Sequence, residues 1–205
     1  MIFNMLKKII CFLFIPFCAY ANNCVEYKKI PEINILKPVY KTSVVSSNEP
    51  MDKFHANVVA TLVEDYDIAV DIFSSDGGFC VVLKSVDALI GYNDFSIKID
   101  GSHQPNSCEY NAILNHEKKH IDAYLSVIDD LETDIKNSVF NSANSVMPIF
   151  VSSRDDIEFA IGDINQKMSE HSESILMKQK INAAMEIRNK RIDQNEDNHE
   201  LKLCL

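Results

Sequence analysis

The order of patterns along the chain predicts an α+β fold: a small, mostly antiparallel sheet, then a helix carrying the pentapeptide HEKKH, then a long C-terminal helix. Three observations predict it. Short β-branched runs separated by turn residues fill the first half of the chain. Apolar residues at helical spacing fill the second half. Strand patterns come first and helix patterns second, which is the signature of an α+β rather than an alternating α/β arrangement.

The first element is not part of the fold. Residues 1–21 carry a short basic stretch (Lys7, Lys8), an apolar run from Ile9 to about Phe17, and small residues at Ala19 and Ala21. This is the pattern of a secretory signal cleaved after Ala21. The apolar run falls short of the roughly 20 residues a membrane-spanning helix needs, and no later segment is apolar enough to span. The remaining 184 residues, 22–205, suffice for one domain with a real core.

"VEYKKIPEINILKPVYKTSVV" follows, interrupted by Pro31 and Pro38. It reads as one or two short strands at a sheet edge, because proline cannot donate to a ladder. Asn48 as cap, Pro50 in a first turn, and Phe54, Val58 and Leu62 on one face predict a helix next. "YDIAVDIF", the turn "SSDGG", "FCVVLKSVDALIGY" and "FSIKID" then give the strands of the sheet. The loop "GSHQPNSC" leads into a helix from about Cys108 to Lys136, with Asn106 or Ser107 as its cap. After a loop at "NSANSVMP", one long helix runs through Ile157, Ile161, Ile164, Met168 and Ile175, with His171 in a seam place.

Composition narrows the partners. The formal charge is −10, and loss of Lys7 and Lys8 with no acid in that segment takes it to −12. An acidic chain with no basic block is unsuited to nucleic acid or anionic lipid, both polyanions. The four cysteines after residue 21 (Cys24, Cys80, Cys108, Cys204) are an even set in an exported chain and read as two disulfides. Of the three pairings, Cys80–Cys108 with Cys24–Cys204 is favoured, since one bridge would link a strand start to the HEKKH helix and the other would tie the termini. No close Cys-x-x-Cys pair supports a cysteine zinc site.

The chemistry lies in "NHEKKH". On a helix, His116 and His120 stand about 40° and roughly 6 Å apart on one face, so both imidazoles can reach one tetrahedral cation at roughly 2.0–2.1 Å. Glu117 projects beside them, within reach of an attacking water without being a ligand. A zinc ion lowers the pKa of a water it holds to about 7, where a carboxylate can remove the proton. Tyr124, a further four residues on, could donate to a developing oxyanion, or serve as a core aromatic with its hydroxyl at the rim.

"CEYNAILNHEKKHIDAY" resembles the active-site helix of the zincin clan of metallopeptidases. The wider plan (signal, small sheet, Cys before the helix, HExxH, long C-terminal helix) resembles bacterial secreted proteins described as predicted zinc-dependent proteases. The resemblance implies His116 and His120 as zinc ligands and Glu117 as base. "HEKKHIDAYLS" lacks the glycine and third histidine of the metzincin extension, and Lys118 and Lys119 are charged where most zincins are not. The third ligand must therefore lie further along the chain. His171 leads the candidates, with Glu158, Glu173, Asp193, Glu196 and His199 behind it, each having a structural alternative as core histidine, solvated face or acidic tail.

The expected function is thus an exported zinc metallopeptidase, in a bacterial periplasm or beyond, acting on a peptide or protein substrate, cell-wall peptide included. The alternative is a non-catalytic exported metal- or partner-binding protein on the same scaffold.

Overall fold

The computed structural model describes residues 24–47, 56–195 and Cys204. The expected signal segment, and the cap and first turn of the helix expected from Asn48, lie outside these residues. The elements are β1 (Glu32–Leu36), β2 (Lys41–Ser47), β3 (Ala56–Ser75), β4 (Gly78–Asp100), α1 (Cys108–Asp130), α2 (Glu132–Ser145), β5 (Ile149–Val151), α3 (Ile157–Ser169) and α4 (Ser172–Asn195).

β4 organises the sheet. β3 pairs with one edge, antiparallel, through a two-residue turn in which Gly77 takes φ +78°, a conformation that glycine adopts without steric cost. The other edge is shared in succession by β5 (antiparallel, opposite Phe79–Val81), β1 (parallel, opposite Ser85–Leu89) and β2 (parallel, opposite Asp94–Asp100). The expected mostly antiparallel sheet is therefore corrected to a mixed one. β1 and β2 behave as one long strand broken at Pro38, both halves running the same way along β4. At the break Pro38 comes close to Gly91, where a Cβ would stand 2.8 Å from the proline ring.

The helix expected around Val58 and Leu62 is instead the start of β3. A spacing of four fits a period of two as well as it fits 3.6. The accessibility from Ala56 to Leu62 alternates residue by residue, as a strand requires.

In β4 the core set changes parity twice. Val81 and Leu83 join the core cluster, then Val86, Ala88, Ile90 and Tyr92, then Phe95, Ile97 and Ile99, while Cys80 and Val82 are buried outside that cluster. Each change coincides with a register shift against β3, where β4 carries one extra residue. Such bulges let a long strand bend while keeping one face inward. The helices cover that face, and the core is built from these strand residues with Ile113, Ile121, Val127, Ile135, Ile164, Met168 and Ile181.

Two long helices expected from the sequence are each divided. The first breaks at Leu131 (φ −96°, ψ 5°) and resumes as α2, which extends through much of the expected loop to Ser145. The second breaks at Glu170 and His171 into α3 and α4. Lys180 of α4 meets Asp134 of α2 at 2.5 Å, and Arg188 meets Ser126 and Asp130 of α1. Ascending α4 thus means descending α2 and α1, so α4 lies antiparallel to the HEKKH helix.

The disulfides are Cys24–Cys80 and Cys108–Cys204, which corrects the expected pairing. The parallel register of β1, with Glu32 opposite Ser85, carries the segment before β1 to the start of β4, where Cys80 sits. The antiparallel course of α4 returns the chain to the start of α1, where Cys108 sits. Both bridges follow from strand and helix directions.

Among the described residues no helix is long and apolar enough to cross a membrane.

Candidate metal centre

Ser107 caps α1 by accepting from the Tyr110 amide at 3.1 Å, as a serine at that position does for an unpaired helix-end donor. The helix then buries a stripe of Ile113, Glu117, His120, Ile121, Ala123, Val127 and Ile128. Glu117 and His120 are polar members of an otherwise apolar stripe, so the fold itself takes them out of water. Glu117 is only 3% exposed. Lys118 faces solvent, which leaves the inward face of the motif uncharged by lysine there.

The two imidazoles meet edge to face, with ring centres 4.9 Å apart, and their Nε2 atoms are separated by 3.1 Å. Asp193, from the last turn of α4, brings Oδ1 to 3.1 Å from His120 Nε2 and 3.4 Å from His116 Nε2. His116, His120 and Asp193 form a group able to hold a metal ion. On its far side the His120 ring reaches Asn189, one helical turn before Asp193, at 3.0 Å between Nδ1 and Oδ1.

These groups open into a cleft of about 200 Å³ lined by Asn57 and Val58 of β3, Glu117, Tyr124 and the His/Asp cluster. A neighbouring hollow of about 550 Å³ shares Tyr124, Asn189 and Asp193 and extends over Leu62, Tyr92 and Met185. Burial is the main cause that pushes the Glu117 carboxyl up to about 7, with the Asp193 charge adding to it and His120 opposing. A carboxyl tuned to that range exchanges a proton near neutrality.

Of the residues singled out in the sequence, His116, Glu117, His120 and Tyr124 come together. Tyr124 packs edge-on against Tyr92 (4.8 Å between centres) and tilts against Phe95, while its side chain borders both hollows. His171 does not join them. It sits at the α3–α4 junction, where Nδ1 accepts from the Glu173 amide at 3.3 Å and lies 3.3 Å from Ser142 Oγ. The seam place assigned to it supposed one unbroken helix, and the break removes it. Glu158 and Glu173 lie at the first turns of α3 and α4, outside the cluster. Glu196 and His199 lie outside the described residues. Asp193, lower among the candidates, is the acid that arrives. Asn189 was not foreseen, because an asparagine in a helix carries no signature; its position four before Asp193, mirroring His116 and His120, is the signal that could have found it.

No protein-family model, curated protein or solved structure matches the chain significantly.

Proposed function

We propose that the chain is an exported zinc-dependent metallopeptidase, with His116, His120 and Asp193 as ligands and Glu117 as general base. One observation carries the reading. Ligands at roughly 2.0–2.1 Å from a tetrahedral zinc stand roughly 3.3–3.4 Å from one another, and the three donor atoms here are separated by 3.1, 3.1 and 3.4 Å. Two imidazole nitrogens and one carboxylate oxygen are also a donor set zinc accepts, and three protein ligands leave a fourth place for water, as hydrolytic sites do.

Zinc, when bound, supplies a Lewis acid that acidifies a water and polarises a carbonyl. The rest is the work of the chain. Glu117 takes the proton of the attacking water and delivers it to the departing amide nitrogen, two transfers suited to a carboxyl near neutrality. Tyr124, at the wall of the cleft, directs its hydroxyl to the oxygen on which charge develops. Asn57 and Val58 form the wall opposite the motif helix, where an extended peptide would run. The two disulfides and the absence of a membrane-spanning helix among the described residues are compatible with export, and peptides outside the cytoplasm, cell-wall peptide among them, are the substrate class.

Zinc stoichiometry by elemental analysis, followed by cleavage of a peptide library, tests this. One zinc per chain and cleavage that falls roughly 10²–10⁴-fold in Glu117→Ala, with zinc retained, is the expected result. Zinc retained with no cleavage by the parent chain would leave a metal-binding protein without catalysis.

A further inference from the structure

We infer that Asn189 is the positioning residue of this site: its carboxamide oxygen holds His120 in the Nδ1–H tautomer, so that Nε2 is presented as a metal-binding lone pair. The inference rests on the metal centre proposed above and adds to it a residue that acts through His120 rather than as a ligand.

The chemistry of the contact fixes its direction. A carboxamide oxygen only accepts hydrogen bonds, and the 3.0 Å contact is between Asn189 Oδ1 and His120 Nδ1. The imidazole nitrogen must therefore be the donor, and in the neutral ring the proton on Nδ1 leaves Nε2 bare. That bare nitrogen is the one facing His116 Nε2 at 3.1 Å and Asp193 Oδ1 at 3.1 Å. Histidines that bind metals commonly donate their other ring N–H to such a partner, which fixes both tautomer and ring orientation.

The fold places Asn189 firmly. Ile181 and Met185 seat α4 in the core, and Arg188, the preceding residue, meets Ser126 and Asp130 of α1. Residues 189 and 193 are four apart on α4 and face residues 116 and 120, four apart on α1. One helix thus supplies the two histidines and the other supplies a ligand and the orienter of a ligand. A neutral amide also orients without charge.

The test uses the full disulfide-bonded chain as Asn189→Leu, Asn189→Asp and, as a control for general effects on α4, Asn182→Leu. Zinc affinity is read by competition with a chromophoric chelator, and the His120 tautomer by ¹⁵N–¹H long-range correlation in the metal-free and zinc-loaded states. Asn189→Leu should bind zinc roughly 10–100-fold more weakly and lose the Nδ1–H preference of metal-free His120. Asn189→Asp, which still accepts, should keep the tautomer and stay within a few-fold of the parent affinity, and Asn182→Leu should change neither. Parent-like affinity and tautomer in Asn189→Leu would overturn the inference. So would equal losses in Asn189→Leu and Asn189→Asp, the mark of a merely structural residue. Should no variant bind zinc, the proposed metal centre fails, and the tautomer of metal-free His120 alone decides the role of Asn189.

Discussion

Two polar clusters, each built around histidine against α4, show what separates a candidate metal centre from a structural network. The first joins His116, His120, Asp193 and Asn189 beside Glu117. The second runs from His171 through Ser142 and Ser174, with 3.3 Å and then 3.0 Å between polar atoms, to Tyr66 and Glu64, where Lys178 closes it with an ion pair. In the second, hydroxyls and main-chain groups answer one another: Ser174 donates to the Met168 carbonyl at 2.9 Å, and Ser138 beside it to the Glu173 carbonyl at 2.9 Å. The adjoining hollow holds only about 10 Å³, near the lower limit for one water. In the first, groups able to bind a metal converge. Two imidazole nitrogens and a carboxylate oxygen point at one place, next to a cleft of about 200 Å³. Buried polar groups normally find complementary partners, and this group is one that a cation could complete. Histidine alone marks neither kind of cluster; the chemistry and space around it do.

The largest effect that could break this comparison is loss of metal. His116→Ala with His120→Ala should abolish zinc binding, while His171→Ala should leave one zinc per chain; elemental analysis after gel filtration reads both. A loss of zinc in His171→Ala with the fold retained would erase the distinction. Asp193→Ala comes next. Removing a ligand should weaken zinc by more than the roughly 10–100-fold that an outer partner is worth, measured by chelator competition. Parent-like affinity would mean that Asp193 is a neighbour of the site and the third ligand lies elsewhere.

The same contrast explains what the sequence could reveal. The HEKKH pair is local: residues four apart on a helix share a face whatever the rest of the chain does, so His116, Glu117 and His120 were legible. Asp193 was one of six candidates because its contact spans more than seventy residues and depends on where α3 ends and α4 begins. The break at 170–171 contains no glycine or proline, and Ser169, His171 and Ser172 are modest helix formers beside Glu170, a good one. Val58 and Leu62 were misassigned because a spacing of four satisfies both periods, and strand pairing with β4 decided between them. The disulfide pairing required the parallel direction of β1, which no local pattern encodes.

Glu117 gives a smaller effect that sharpens the comparison through pH. Its carboxyl is raised from 4.5 to about 7, chiefly by burial. The metal-free folded state therefore binds this proton more tightly than the unfolded chain does. The resulting stability is fully present below pH 4.5 and is lost as pH rises through about 7. The cost of the buried charge at pH 8 is about 3 kcal/mol. Glu117→Gln should match the parent at pH 4 and exceed it by that amount at pH 8 in urea unfolding of the metal-free chain. A constant difference between the two pH values would show that the carboxyl is not held neutral by burial.

The smallest effect concerns His171 itself. Helix α4 begins at Ser172, and the His171 side chain accepts from the amide of Glu173, the second residue of the helix. That is the bond an N-cap makes, and caps contribute about 0.5–2 kcal/mol. His171→Ala should lower stability by that amount in urea unfolding, and His171→Asn or His171→Ser, residues that cap by the same bond, should recover most of it. Recovery by residues without an imidazole would identify a helix cap, because the only property they share with histidine here is an acceptor one step before the helix. If neither substitution recovered stability, the bond to Ser142 rather than the cap would be what holds the junction, and Ser142→Ala, which breaks only that bond and the one to Ser174, should then cost as much as His171→Ala.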